Sequence, residues 1–147
     1  MDLTDIQIIN ILKKDARTPV KDISAAVNLS APAVKERMDK LKSAGVIKAY
    51  TVVLEPKALG KTMKAFMFLT LRSPEKAEKF MDVIAKEKDI LSCYFLTGDF
   101  DYMIEIATQD TVMLEKMISE LRNLAEFSRT RTIIVLTTIK ESYSVSP

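Results

Sequence analysis

The sequence predicts an α+β chain in two parts: an N-terminal unit of three short helices and a C-terminal βαββαβ sandwich. Three observations carry this. Up to Gly45 the apolar residues recur at helical spacing, with capping residues and prolines at the helix starts. Beyond Gly45 the period changes, and runs rich in β-branched and aromatic residues alternate with two amphipathic helices. The charge is also divided: residues 1–60 hold ten Lys and Arg against seven Asp and Glu, while residues 61–147 hold twelve against thirteen. The basic excess sits with the helices.

The first helix is expected over Asp2 to Lys14. Thr4-x-x-Gln7 has the form of a capping box, and Ile6, Ile8, Ile9 and Leu12 give a wide apolar side. Thr18 suits the N-cap of the second helix, with Pro19 at its first position, where a missing N–H costs little. Val20, Ile23 and Val27 then share a face. Asn28 tolerates the left-handed backbone that ends a helix, and Leu29 packs into the angle that follows. Ser30 caps the third helix and Pro32 sits in its first turn. Val34, Met38 and Leu41 form the apolar stripe of that helix, and Gly45 stops it.

Helix, tight turn, helix is the pattern of a helix-turn-helix, whose second helix fits the DNA major groove. At about 100° per residue, its outward face carries Pro32, Ala33, Glu36 and Lys40, flanked by Lys35, Arg37 and Lys42. Small residues at the helix start permit close approach to base edges, and the cations suit phosphates. A solvated helix of any helical domain could carry the same stripe. The proline start, the Asn-Leu-Ser turn and the flanking cations favour double-stranded DNA as the partner. The candidate DNA contacts are Thr18, Lys21, Ser30, Ala31, Pro32, Ala33, Lys35, Glu36, Arg37, Lys40 and Lys42.

Residues 1–45 thus form the helix-turn-helix unit. Residues 46–62, with the β-prone run Val46–Leu54, form a strand-containing linker expected to act as a wing beside the DNA. In residues 63–147, strands are expected at 63–72, 90–97, 102–108 and 129–140. A helix starting at Ser73-Pro74 carries the stripe Ala77, Phe80, Met81 and Ile84. Another, capped by Asp110, carries Leu114, Met117, Ile118 and Leu121. The order βαββαβ defines a ferredoxin-like sandwich with both helices on one face of the sheet. Yet Phe66 to Leu69 and Ile133 to Leu136 place apolar groups on both faces. The uncovered face predicts face-to-face dimerisation.

Composition narrows the chemistry. Among 147 residues there is no histidine, and the three glycines stand far apart, so His-dependent triads and glycine-rich phosphate loops are excluded. No metal or cofactor is called for. The single cysteine, Cys93, excludes an internal disulfide, fits a reducing cytoplasm, and is expected as a small buried hydrophobe. No apolar run is long enough to span a membrane.

Taken together, these pieces resemble the Lrp/AsnC, or feast/famine, family of transcription regulators. The resemblance runs through Asp15-Ala16-Arg17, Ile23, Leu29-Ser30, Arg37, Leu41, Gly45-Val46-Ile47 and Tyr50. It continues through Pro56-Lys57-Ala58-Leu59-Gly60, Thr97-Gly98-Asp99-Phe100-Asp101-Tyr102 and Arg129-Thr130-Arg131-Thr132. It implies a winged helix-turn-helix joined to an amino-acid-sensing domain, homodimers that often assemble to octamers, and an amino acid bound between dimers. Carried over by position, it marks Gly98, Asp99 and Asp101 at the effector pocket, with Thr130, Thr132, Ile133, Ile134 and Val135 on the last strand near the ligand, and Tyr94 and Thr111 as further response positions. A carboxylate suits a ligand ammonium group, turn N–H groups and hydroxyls suit its carboxylate, and apolar neighbours accept a side chain. Asn28 departs from the glycine usual at its turn but can adopt the same backbone. Two other readings are possible: an architectural DNA-wrapping protein without an effector, and an enzyme built on Asp99 and Asp101. The second lacks a nucleophile or metal beside those carboxylates.

Overall fold

The computed structural model describes all 147 residues, which divide into two compact units: Met1–Val53 with Lys140–Pro147, and Leu54–Ile139.

In the first unit, α1 (Leu3–Lys14), α2 (Val20–Val27) and α3 (Ala31–Ser43) enclose Ile8, Leu12, Ile23 and Val34. α1 is started by Asp2 rather than by the expected Thr4–Gln7 box. Asp2 and Asp5 each accept from the other's backbone N–H, at 2.8 and 2.9 Å. Aspartate is the better N-cap, so the box forms two residues earlier. Thr18 does not cap α2 either. Its hydroxyl donates to the Asp15 carbonyl at 2.7 Å, and Pro19, with ψ 141°, is itself the boundary residue. Asn28 closes α2 in the left-handed region, at φ 53°, as expected. Ser30 Oγ accepts from the Ala33 N–H at 3.4 Å to cap α3. At the far end Gly45 adopts φ 73°, and the N–H groups of Val46 and Ile47 both return to the Leu41 carbonyl. Ile47 is thereby folded onto the helical core. Lys140–Pro147 belongs to this unit; Lys13 Nζ donates to Ser146 Oγ at 2.9 Å.

The linker forms no strand within the chain. A strand needs a ladder partner, and residues 46–55 have none; Val52, Val53 and Leu54 are exposed. A short 3₁₀ turn at Pro56–Leu59 ends at Gly60.

The second unit is a four-stranded antiparallel sheet: β1 (Met63–Leu71), β2 (Ile90–Phe95), β3 (Tyr102–Thr108) and β4 (Phe127–Ile134), in the order β2-β3-β1-β4. α4 (Ala77–Lys86) and α5 (Thr111–Ala125) complete the βαββαβ pattern. β4 ends six residues earlier than expected, because its partner β1 begins at Met63. The last rung is the Val135 N–H to the Lys64 carbonyl, at 2.8 Å.

Side-chain alternation settles which face is covered. Ala65, Met67, Leu69 and Leu71 of β1, with Ile104 and Ile106 of β3, are buried against Phe80 of α4 and Leu114, Met117 and Leu121 of α5. Phe80 packs edge-on against Phe127 and tilted against Tyr102. Met81, expected in the α4 stripe, is instead 53% exposed, and Val83 takes its place at the core margin. The register puts Phe66, Phe68, Met103, Tyr94 and Ile133 together on the opposite face, which no helix covers. Cys93 lies exposed on the edge strand β2, not buried as expected, and burial among its neighbours still pushes its thiol pKa up.

Candidate DNA-reading helix and candidate effector residues

Capped by Ser30 and stopped at Gly45, α3 turns Val34 and Leu41 inward and presents Glu36 and Lys40 to solvent. Those two pair at 2.7 Å across one helical turn, and the pairing holds the Glu36 carboxyl below its usual pKa. Lys21, Ser30, Ala31, Pro32, Lys35 and Lys42 are exposed, and Ala33 is half-buried. Two of the expected contacts have partners within the chain. The Thr18 hydroxyl is engaged with the Asp15 carbonyl. Arg37 turns toward α1, where its Nη1 reaches Asp2 Oδ2 and Asp5 Oδ1, both at 2.7 Å. Capping N–H bonds first, and Arg37 second, keep both aspartates below the ordinary carboxyl pKa; the hydrogen bonds to Asp5 and Asp2 raise that of Arg37. No local signal foretold this direction, since Asp2 and Asp5 lie 35 and 32 residues away.

The effector residues expected from the sequence fall into separate groups within one chain. Gly98, Asp99 and Asp101 lie in the β2–β3 turn, where the Leu96 N–H bonds the Asp101 carbonyl at 2.7 Å and the Asp101 N–H bonds the Leu69 carbonyl at 3.1 Å. Gly98 adopts φ 117°, a conformation that favours glycine. Thr130, Thr132 and Ile134 face the helix side of edge strand β4, opposite Leu69, Met67 and Ala65, whereas Ile133 and Tyr94 face the open side. Thr111 begins α5 at the other end of the sheet, about 23 Å of β3 away from the turn. A cleft of about 540 Å³ runs beside α3 and another of about 220 Å³ lies between α4 and α5; neither is lined by these residues.

One contact was not foreseen as part of the site. The Arg129 guanidinium stacks 4.6 Å above the Phe100 ring and donates to the Asp99 carbonyl at 3.4 Å, while Phe100 meets Phe68 at 5.8 Å. Arg129 therefore ties β4 to the glycine turn across β1.

A capped helix-turn-helix unit followed by a βαββαβ sandwich defines a two-part DNA-binding regulator. Comparison with known proteins agrees in both parts. Residues 1–48 match a winged helix-turn-helix DNA-binding family, and residues 64–145 match the Lrp/AsnC ligand-binding domain. The chain belongs to the Lrp/AsnC family of transcriptional regulators. It is 34% identical over 145 residues to the HTH-type transcriptional regulator FL11 of Pyrococcus horikoshii, covering 97% of this chain and 93% of that one. It is 32% identical to the leucine-responsive regulatory protein of Escherichia coli, covering 97% and 88%. Among solved structures, a Neisseria meningitidis transcriptional regulator in complex with L-Met superposes with a TM-score of 0.92 at 26% identity, covering 99% and 96%. LrpC of Bacillus subtilis superposes at 0.88 with 29% identity, covering 97% and 99%. No helix is long and apolar enough to cross a membrane.

Proposed function

We propose that α3 reads the DNA major groove and that DNA affinity or assembly responds to a small amino-acid effector. The observation that carries the first part is the presentation of α3. Ser30 and Gly45 fix its ends, Val34 and Leu41 anchor it, and Glu36, Lys40, Lys35 and Lys42 are left toward solvent. Lys21, Lys35, Lys40 and Lys42 serve phosphates, while Ser30, Ala31, Pro32 and Ala33 let the helix start approach base edges. Glu36 can accept from a cytosine amino group.

In the sandwich, Asp99 and Asp101 receive the ligand ammonium group, and the Gly98 turn with Thr130 and Thr132 receives its carboxylate. Ile133, Ile134 and Val135, with Tyr94 and Thr111, bound its side chain. The relative bound to L-Met supports an amino acid as the ligand class. Because these residues are spread over both faces and both ends of one sheet, the site is completed by further copies of the chain. The open face of Phe66, Phe68, Met103 and Ile133 supports pairing of two sheets, and assemblies such as an octamer build on that pair. The protein acts in the cytoplasm and performs no covalent chemistry.

Thermal unfolding against the twenty amino acids tests this. A ligand at 100 times its dissociation constant adds about 2.7 kcal/mol, a shift of several degrees. A shift with one or a few, lost in Asp101→Ala, is expected. A flat panel overturns the sensor and favours an effector-free architectural DNA binder, a reading to which Pro32 and Ala33 lend weight because they offer no side-chain donors at the helix start.

A further inference from the structure

Two carboxylates and one guanidinium form a closed set at the joint between α1 and α3. Asp2 Oδ1 and Asp5 Oδ2 accept backbone N–H groups and cap α1, while Asp2 Oδ2 and Asp5 Oδ1 accept from Arg37 Nη1. All four oxygens are thus engaged, two on α1 and two on α3. The Arg37 side chain is 32% exposed and that of Asp5 14%. Beneath them the joint is Ile8 and Leu12 against Val34. Apolar packing of Val34 and Leu41 decides which face of α3 turns inward, but the hydrophobic effect itself is non-directional. Charge-assisted hydrogen bonds are directional and refine the rotation of α3 about its own axis. Arg37 lies about 60° round the helix from Val34, on the flank turned to α1, whereas Glu36 and Lys40 lie on the outward side.

We propose that Arg37 is a positioning residue for DNA recognition: clamped by Asp2 and Asp5, it makes no DNA contact and sets the angle at which α3 presents Glu36 and Lys40. This rests on α3 being the reading helix. The set carries one net negative charge, so the two accounts of Asp5 predict opposite signs. As a mere acid near phosphates, its removal tightens DNA binding; as half of the clamp, its removal weakens it.

The probe is a labelled duplex selected by the wild-type chain from a random-sequence pool, titrated at several salt concentrations. Asp5→Asn is expected to weaken binding about fivefold or more, as loss of a partly exposed charge pair at each of two half-sites would. Arg37→Gln is expected to weaken it similarly with an unchanged salt slope, whereas loss of a phosphate contact at each of the two half-sites lowers that slope by about 1.8. The exchange Arg37→Asp with Asp5→Arg is expected to restore part of the affinity. Should Asp5→Asn unfold the unit, Asp2→Asn, at the more exposed carboxylate, takes its place. Equal or tighter binding by the asparagine variant, or a reduced slope in Arg37→Gln, overturns the clamp. Lys35→Ala and Lys40→Ala keep the two readings apart: if both leave affinity and slope unchanged, it is the assignment of α3 as the reading helix that falls.

Discussion

The helix-turn-helix unit closes its helix ends and its small core by contacts within the chain, whereas the sheet unit leaves a whole face that no helix covers. In the first, Asn28, Ser30 and Gly45 end and begin helices by contacts a few residues long, and a small core of Ile8, Leu12, Ile23 and Val34 joins them. In the second, the buried core is larger and includes Phe80, yet Phe66, Phe68, Met103 and Ile133 remain uncovered on the far side. A unit of the first kind can present a site by itself. A unit of the second kind leaves a surface for the proposed pairing with another copy, and its candidate effector residues are scattered within one chain.

This contrast can be broken most severely at Phe80. Phe80→Ala leaves a cavity beneath the sheet and is expected to cost about 3–5 kcal/mol, lowering the melting transition of the sandwich in calorimetry. If α1–α3 fold on local contacts, far-UV signal from helices should persist above that transition. Next is the open face. Phe66→Asp is expected to weaken self-association at least about 100-fold, about 2.7 kcal/mol, measured as the mass in sedimentation equilibrium. Met81→Asp, on the exposed flank of α4, should leave the mass unchanged. Loss of association by both would remove the distinction between the faces. Ser30→Ala then probes the local side of the contrast. It should cost about 0.5–1 kcal/mol in thermal unfolding, toward the low end for an N-cap because its bond is long.

The smallest effect is a pH dependence. Asp2 and Asp5 have folded pKa values below the ordinary carboxyl range, so the unfolded chain binds more protons as pH falls. Their contribution to stability is therefore present above about pH 4 and is lost on acidification through the lowered values. Asp5→Asn should flatten the wild-type decline in melting temperature between about pH 5 and pH 3; an equally steep decline would assign the acid sensitivity to other groups.

Legibility in the sequence followed the range of each contact. The C-terminal end of α2 and both ends of α3 were readable because Asn28, Ser30 and Gly45 act on neighbours. β3 was readable from its own alternation, and the Asp110 cap from its place before an apolar stripe. Where the deciding partner was distant, reading failed. β4 stops where β1 offers no further rung, and residues 46–55 stay unpaired for want of any strand beside them. Met81 is exposed because of where α4 settles on the sheet, and Cys93, level with Ile104 on the helix side, is exposed because β2 is an edge strand; neither residue's neighbours disclose this. Arg37 looked like one more cation flanking the outward face, and only the fold brings Asp2 and Asp5 to it. In the sandwich, the glycine turn was visible as Gly98-Asp99, but the Arg129–Phe100 stack that braces it was not.

The open sheet face also has a consequence for dosage. If a second copy covers that surface, as proposed, folding and two-headed DNA binding are coupled to mass action. Well below the dissociation constant, the paired species grows with the square of the chain concentration, so halving the supply leaves a quarter of it. A few apolar side chains on β1, β3 and β4 would thereby turn a graded change in protein abundance into a steeper change in promoter occupancy before any effector is bound.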